Sequence, residues 1–136
     1  MAVEITGDYR GGLNVDLVHG PSGTRLGTAA PVDNQGDGSS FSPTDLAAAA
    51  LGSCMLTIMG ILARRDGIEL EGTRFTLHKH MQSNPRRIGR IAIEIHMPAG
   101  LDDGARQKLE KGALTCPVYL SLHPEIEKPV QFIYPD

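Results

Sequence analysis

The chain has 136 residues, 40% hydrophobic and 21% charged, with a formal net charge of −3. That length predicts one domain around a single core, and the mild negative balance gives no electrostatic footprint for nucleic acid or an anionic membrane. With no Trp and 4% aromatic residues, the core must be built from Leu, Ile, Val, Ala and Met. The N-terminus, Met1-Ala-Val-Glu-Ile-Thr-Gly-Asp, has neither a basic nor an apolar leader segment, so export is not expected. The expected compartment is the cytoplasm, where thiols stay reduced or cycle.

The first element predicted is a β-hairpin. Val3, Ile5 and Tyr9 alternate with polar residues, as do Leu13, Val15 and Leu17, and Gly11-Gly12 supply a two-residue turn at positive φ. Residues 20–40 are rich in Gly, Pro, Ser, Asp and Asn. A short strand around Arg25–Thr28 interrupts this longest irregular stretch, and such loops carry function or motion.

Ser42-Pro43-Thr44-Asp45 reads as a helix start: a capping serine, a proline at the first position, and a carboxylate at the positive end of the dipole. The helix is expected to run to Arg64-Arg65-Asp66 and stop at Gly67. Its segment Ala47–Ala63 is apolar all round. It reaches the lower length limit of a membrane span, but Gly52, Ser53, Thr57 and Gly60 interrupt it and strands flank it, which favours a core helix. One sheet cannot cover such a helix, so a homodimer with packed central helices is expected.

Thr73–Met81 and Ile88–Met97 form a second predicted hairpin. Ile91, Ile93, Ile95 and Met97 lie on one face and Arg90, Ala92, Glu94 and His96 on the other. Asp102-Asp103 open a polar helix, Cys116-Pro117 open a short second one, and Pro129–Tyr134 read as a final edge strand. The fold class is α+β: antiparallel sheets with a long central apolar helix.

The chain's two cysteines, Cys54 and Cys116, are the candidates for chemistry. A thiol is nucleophilic only as thiolate. Cys116, as the N-cap before Pro117, would sit beside free N–H groups that favour the anion. Cys54 lies inside the long helix, beyond the terminal dipole, and needs a nearby cation; Arg25 is the candidate. The competing reading is two small core residues. His78 and His80 share a strand face with His96 nearby, but no recognised metal spacing completes them, and a solvated sheet face is the simpler reading. Arg64-Arg65 and Arg86-Arg87 read as a helix end and a turn. His123 and Glu125 are near Cys116 in sequence only.

Ser42-Pro-Thr-Asp-Leu-Ala-Ala-Ala-Ala-Leu-Gly-Ser-Cys54 resembles the central-helix signature of the OsmC/Ohr family of thiol peroxidases. Thr115-Cys116-Pro117-Val118 resembles that family's second cysteine motif, at a similar separation. The resemblance, which covers nearly the whole chain, implies an OsmC-like fold in an intertwined homodimer with sites at the subunit interface. It implies that Cys54 is the peroxidatic cysteine and Cys116 the resolving one, reducing organic hydroperoxides and sometimes hydrogen peroxide. It further implies no resident cofactor, with an external dithiol or lipoyl-type reductant restoring the thiols. Leu51, Met55 and Ile58, apolar neighbours of Cys54, are the expected substrate contacts. One position departs: the hydroperoxide-resistance branch carries an Arg–Glu pair with the Glu in an Asn-Pro-Glu helix start, and here Thr44 stands in its place, followed by Asp45. Two alternatives stay open: a dimeric protein binding a small hydrophobic ligand, and a redox sensor with slow turnover.

Overall fold

The computed structural model describes residues 1–135. The chain divides into two compact units, Met1–Ala47 and Ala48–Asp136, with the boundary in the first turns of the long helix.

The first unit is an antiparallel sheet of β1 (Ile5–Gly11), β2 (Asn14–His19) and β3 (Arg25–Ala29), in that order. The hairpin forms as expected, but its turn is displaced by one residue. Gly11 pairs with Asn14, so Gly12 and Leu13 are the turn, at φ 63° and 64°. A bulge between Tyr9 and Gly11 absorbs the extra residue. Two successive positive φ values are what a tight hairpin needs to match strand twist; here leucine adopts one of them. The loop after β3 is tied back by its main chain, Ala29 N–H to Phe41 O at 2.9 Å and Gly38 N–H to Ala30 O at 3.2 Å.

Helix α1 (Pro43–Arg65) starts and stops as its sequence dictates. Ser42 Oγ accepts from the Asp45 N–H at 3.1 Å, and Asp45 Oδ2 accepts from the Ser42 N–H at 2.9 Å, a reciprocal capping box with Asp replacing the usual Glu. At the other end Gly67 takes φ 66°. The Ile68 N–H returns to Ala63 O at 2.8 Å, closing a Schellman turn.

The second unit contains β4 (Arg74–Gln82), β5 (Arg87–His96), α2 (Asp103–Leu114), α3 (Pro117–Ser121) and β6 (Val130–Ile133). The sheet order is β4-β5-β6. β4 and β5 are antiparallel, as the alternation predicts, but β6 runs parallel to β5. The reason is the connection: α2 and α3 form a helical crossover that returns the chain to the same end of the sheet.

The core lies between α1, β5 and α2. Ala48, Leu51, Met55, Met59 and Ala63 form one stripe of α1 and cluster with Ile91, Ile93 and Ile95 of β5 and with Leu109 and Ala113 of α2. Two glycines allow the close approach. A Cβ at Gly52 would stand 2.5 Å from the Phe75 ring, and one at Gly112 would overlap Leu62. As expected of a helix that one sheet cannot cover, the far side of α1 is open: Ala50, Ser53, Thr57 and Ile61 are exposed in the single chain. By length and composition α1 could cross a membrane, but its sheet-facing stripe is the core of this unit.

Candidate active site

Both cysteines belong to the second unit, and helix packing brings them together. Gly112 of α2 lies against Ile58 and Leu62 of α1. Cys54 stands one turn before Ile58, and Cys116 follows four residues after Gly112. Their thiols come within hydrogen-bonding and electrostatic reach of each other. Both are free thiols. Cys54 is half-buried, whereas Cys116 is wholly buried, with 0% exposure.

Cys116 is the N-cap of α3, as its sequence predicts. Pro117 occupies the first helical position and has no N–H to satisfy, and the Tyr119 N–H donates to Cys116 Sγ at 3.4 Å. The expected consequence, a favoured thiolate, does not follow. Burial pushes the Cys116 thiol up from its ordinary value. The Tyr119 N–H pulls it down, a hydrogen bond with Cys54 and the charge of Cys54 push it up, and the Val118 N–H pulls it down again. Burial outweighs the cap, because removing a thiolate from water costs more than one or two long hydrogen bonds return. Cys116 is therefore held as the neutral thiol.

The other expected site residues fall in different places. Leu51 and Met55 are wholly buried in the core. Each residue turns a helix by about 100°, so Met55, directly after Cys54, points to the sheet while Cys54 points to the flank that faces α2. Ile58, half-buried on that flank, is the expected contact that keeps an exposed surface. Arg25 opens β3 in the first unit, exposed and opposite Val18. Thr44 Oγ1 lies 3.2 Å from Ser42 Oγ, and Asp45 completes the helix cap.

The histidines do not converge. His78 pairs with Ala92 and His80 with Arg90, while His96 lies opposite Arg74, four residues along the strand, or about 13 Å. No group of three His, Cys, Asp or Glu among the described residues is arranged to hold a metal. His123 Nδ1 accepts from the Glu125 N–H at 3.0 Å, a local turn. Arg87 closes the β4–β5 turn on the carbonyls of Ser83 and Pro85 at 3.2 and 2.7 Å.

Sequence reasoning missed two contributors. Tyr119 supplies the amide on Cys116, and its ring lies 5.0 Å from Lys128 Nζ; its place three residues after the cap was the available signal. Gly112 sets the approach of α2 to α1. A glycine between the helix formers Leu109, Glu110 and Lys111 on one side and Ala113 and Leu114 on the other was the signal there.

The family model described as OsmC-like protein matches residues 36–128. The chain belongs to the OsmC-like protein family. The matched region contains both cysteines and ends well after Cys116, but begins after Arg25. Among solved structures, the OsmC-like chain is similar to a provisionally named osmotic stress induced and detoxification response protein of Psychrobacter arcticus 273-4. The two are 43% identical over 97% of this chain and 95% of that one, with a TM-score of 0.89. It shares its fold with the organic hydroperoxide resistance protein OsmC of Legionella pneumophila, at 19% identity, 98% and 97% coverage and a TM-score of 0.73. The same holds for the organic hydroperoxide resistance protein of Elizabethkingia anophelis, at 16% identity, 98% and 96% coverage and a TM-score of 0.76. No curated protein gives a significant match.

Proposed function

We propose that the protein is a cysteine-based thiol peroxidase for organic hydroperoxides. The observation that carries this reading is the contact between a half-buried thiol, Cys54, and a wholly buried one, Cys116, in an OsmC-like chain. The Cys54 thiolate attacks the terminal oxygen of the hydroperoxide. The O–O bond breaks, the alkoxide leaves and takes a proton to become the alcohol, and Cys54 becomes a sulfenic acid. Cys116 then attacks the sulfenic sulfur; an S–S bond forms, the S–O bond breaks, and water leaves. A dithiol or lipoyl-type reductant returns both thiols. No resident cofactor or metal is needed.

Cys54 has the nucleophile's role because it is the thiol a substrate can reach. Cys116 has the resolving role because it is shielded from solvent and within reach of Cys54. Ile58 gives the flank an apolar wall that suits an organic peroxide, while Leu51 and Met55 support the helix from the core. Arg25 remains the proposed activating cation. Its role is tested by Arg25→Ala, which should slow peroxide reduction at least ~10-fold while an Arg25→Lys chain recovers part of it.

The functional unit is proposed to be a homodimer located in the cytoplasm. Support comes from the exposed side of α1, with Ile61 at 44% exposure, and from the exposed Ile5, Tyr9 and Leu26 of the first sheet and Leu13 of its turn. A second copy of the chain would cover these through a two-fold interface.

The test is steady-state turnover with cumene hydroperoxide and with hydrogen peroxide, recycled by dithiothreitol. The account expects catalysis with both, faster with the organic peroxide, and none in Cys54→Ser. Equal loss of activity in Cys54→Ser and in an unrelated surface variant, or no turnover in the parent chain, would overturn it.

A further inference from the structure

We infer that the reductant attacks Cys54 and never Cys116 when the disulfide is recycled, so that the mixed disulfide forms on Cys54 and Cys116 is the leaving thiolate. This rests on the peroxidase reading of the pair.

Thiol–disulfide exchange has a directional demand. The incoming thiolate approaches along the S–S axis, from the side opposite the sulfur that leaves, and the rate depends on which sulfur is accessible. An attack on Cys116 must arrive from behind that residue. There it has no exposed surface and belongs to the core cluster with Leu109 and Ala113. An attack on Cys54 arrives from the side away from Cys116, and Cys54 keeps partial exposure on the flank of α1.

The leaving side is also prepared. The Tyr119 N–H donates to Cys116 Sγ at 3.4 Å, so a donor faces the sulfur on which charge develops as the S–S bond breaks. Once Cys54 is tied up in the mixed disulfide it carries no charge, and one of the influences that keeps the Cys116 proton on is gone.

The bonds balance as follows. The reductant thiolate forms a bond to Cys54 Sγ, the Cys54–Cys116 bond breaks, and the electron pair leaves on Cys116, which then takes a proton. With a dithiol, the second thiolate attacks the reductant's own sulfur. A cyclic disulfide departs and Cys54 is released as thiolate. A monothiol stops at the adduct until a second molecule arrives.

The experiment starts from full-length protein oxidised with diamide, so it does not depend on peroxide turnover. The disulfide form is mixed briefly with excess glutathione, quenched with N-ethylmaleimide, and mapped by peptide mass spectrometry. The expected result is glutathione on Cys54 and maleimide on Cys116. Glutathione on Cys116, or divided evenly between the two, overturns the inference and leaves the peroxidase reading standing. A chain that forms no disulfide with diamide overturns both. A second measurement compares single-thiol chains with an aromatic disulfide reagent: Cys116→Ser should react at least ~10-fold faster than Cys54→Ser. Equal rates would show that Cys116 is reachable, and the inference fails.

Discussion

The two three-stranded sheets of this chain solve the same problem differently. In the second unit, β5 places Ile91, Ile93 and Ile95 under α1, each at most 2% exposed. In the first unit, β1–β3 bury Thr28 and Ala29 and leave Ile5, Tyr9 and Leu26 exposed, with Leu13 exposed in the β1–β2 turn. The second sheet is covered by α1 within its own unit, whereas these apolar side chains of the first unit are exposed. Since a small sheet needs a packed face to be stable, the contrast separates two tasks. The second unit holds the thiol pair by its own packing, and the first carries exposed apolar side chains, the surface to which the proposed dimer assigns a second copy.

The contrast can be broken most severely at Gly112. Gly112→Val would place methyl groups where Leu62 and Ile58 now lie, forcing α2 away from α1 and Cys116 away from Cys54. Overpacking of this kind costs about 1–3 kcal/mol, and the diamide-induced disulfide should form at least ~10-fold more slowly in a chain that still folds. Unchanged disulfide kinetics would show that Gly112 does not set the pair.

A core deletion sharpens the difference between the sheets. Ile93→Ala should destabilise by about 2–5 kcal/mol at any protein concentration. Leu26→Ala should cost no more than about 0.5 kcal/mol where the chain is monomeric, and more as concentration rises and the dimer forms. Denaturant unfolding at several concentrations reads both, and a concentration-independent cost for Leu26→Ala would count against the dimer. Within α1, Gly52→Ala should destabilise by about 1 kcal/mol despite better helix propensity, because the new methyl meets Phe75. Gly60→Ala has nothing within 4 Å and should stabilise by up to about 1 kcal/mol.

The smallest effect is in alkali. Cys116 and Tyr134 are both raised, each by burial first; for Cys116 the contact with Cys54 adds to it, and for Tyr134 the hydrogen bond with Glu110 does. For such groups the unfolded chain loses its proton first as pH rises. Their contribution to stability is complete at low pH and is lost above the ordinary values of 9.0 for the thiol and 10.0 for the phenol. Stability should therefore be flat up to about pH 8.5 and fall beyond it. Cys116→Ser should remove the earlier part of that fall and Tyr134→Phe the later part.

Much of this was legible in the sequence. The Ser42–Asp45 cap, the Gly67 stop, the alternation of β5 and the Cys116-Pro117 helix start are local chemistry, and local chemistry is written within a few residues. Three features were not. The parallel direction of β6 depends on where the α2–α3 crossover returns the chain, which no residue of β6 encodes. The face of α1 that meets the sheet was hidden because the helix is apolar all round. Leu51 and Met55 thus looked like substrate contacts beside Cys54, yet they point into the core. The protonation of Cys116 depends on burial by elements distant in sequence, and burial overrode the cap that the sequence displayed.

The most direct test of the central claim, that Cys54 and Cys116 work as one redox pair, is to treat the reduced protein with one equivalent of cumene hydroperoxide per chain and follow free thiols and intact mass. The account predicts that both thiols disappear together, the mass falls by two hydrogens, and a single linked peptide joins Cys54 to Cys116. Persistence of both thiols, or a stable oxygen adduct on Cys54 with Cys116 still free, would contradict it.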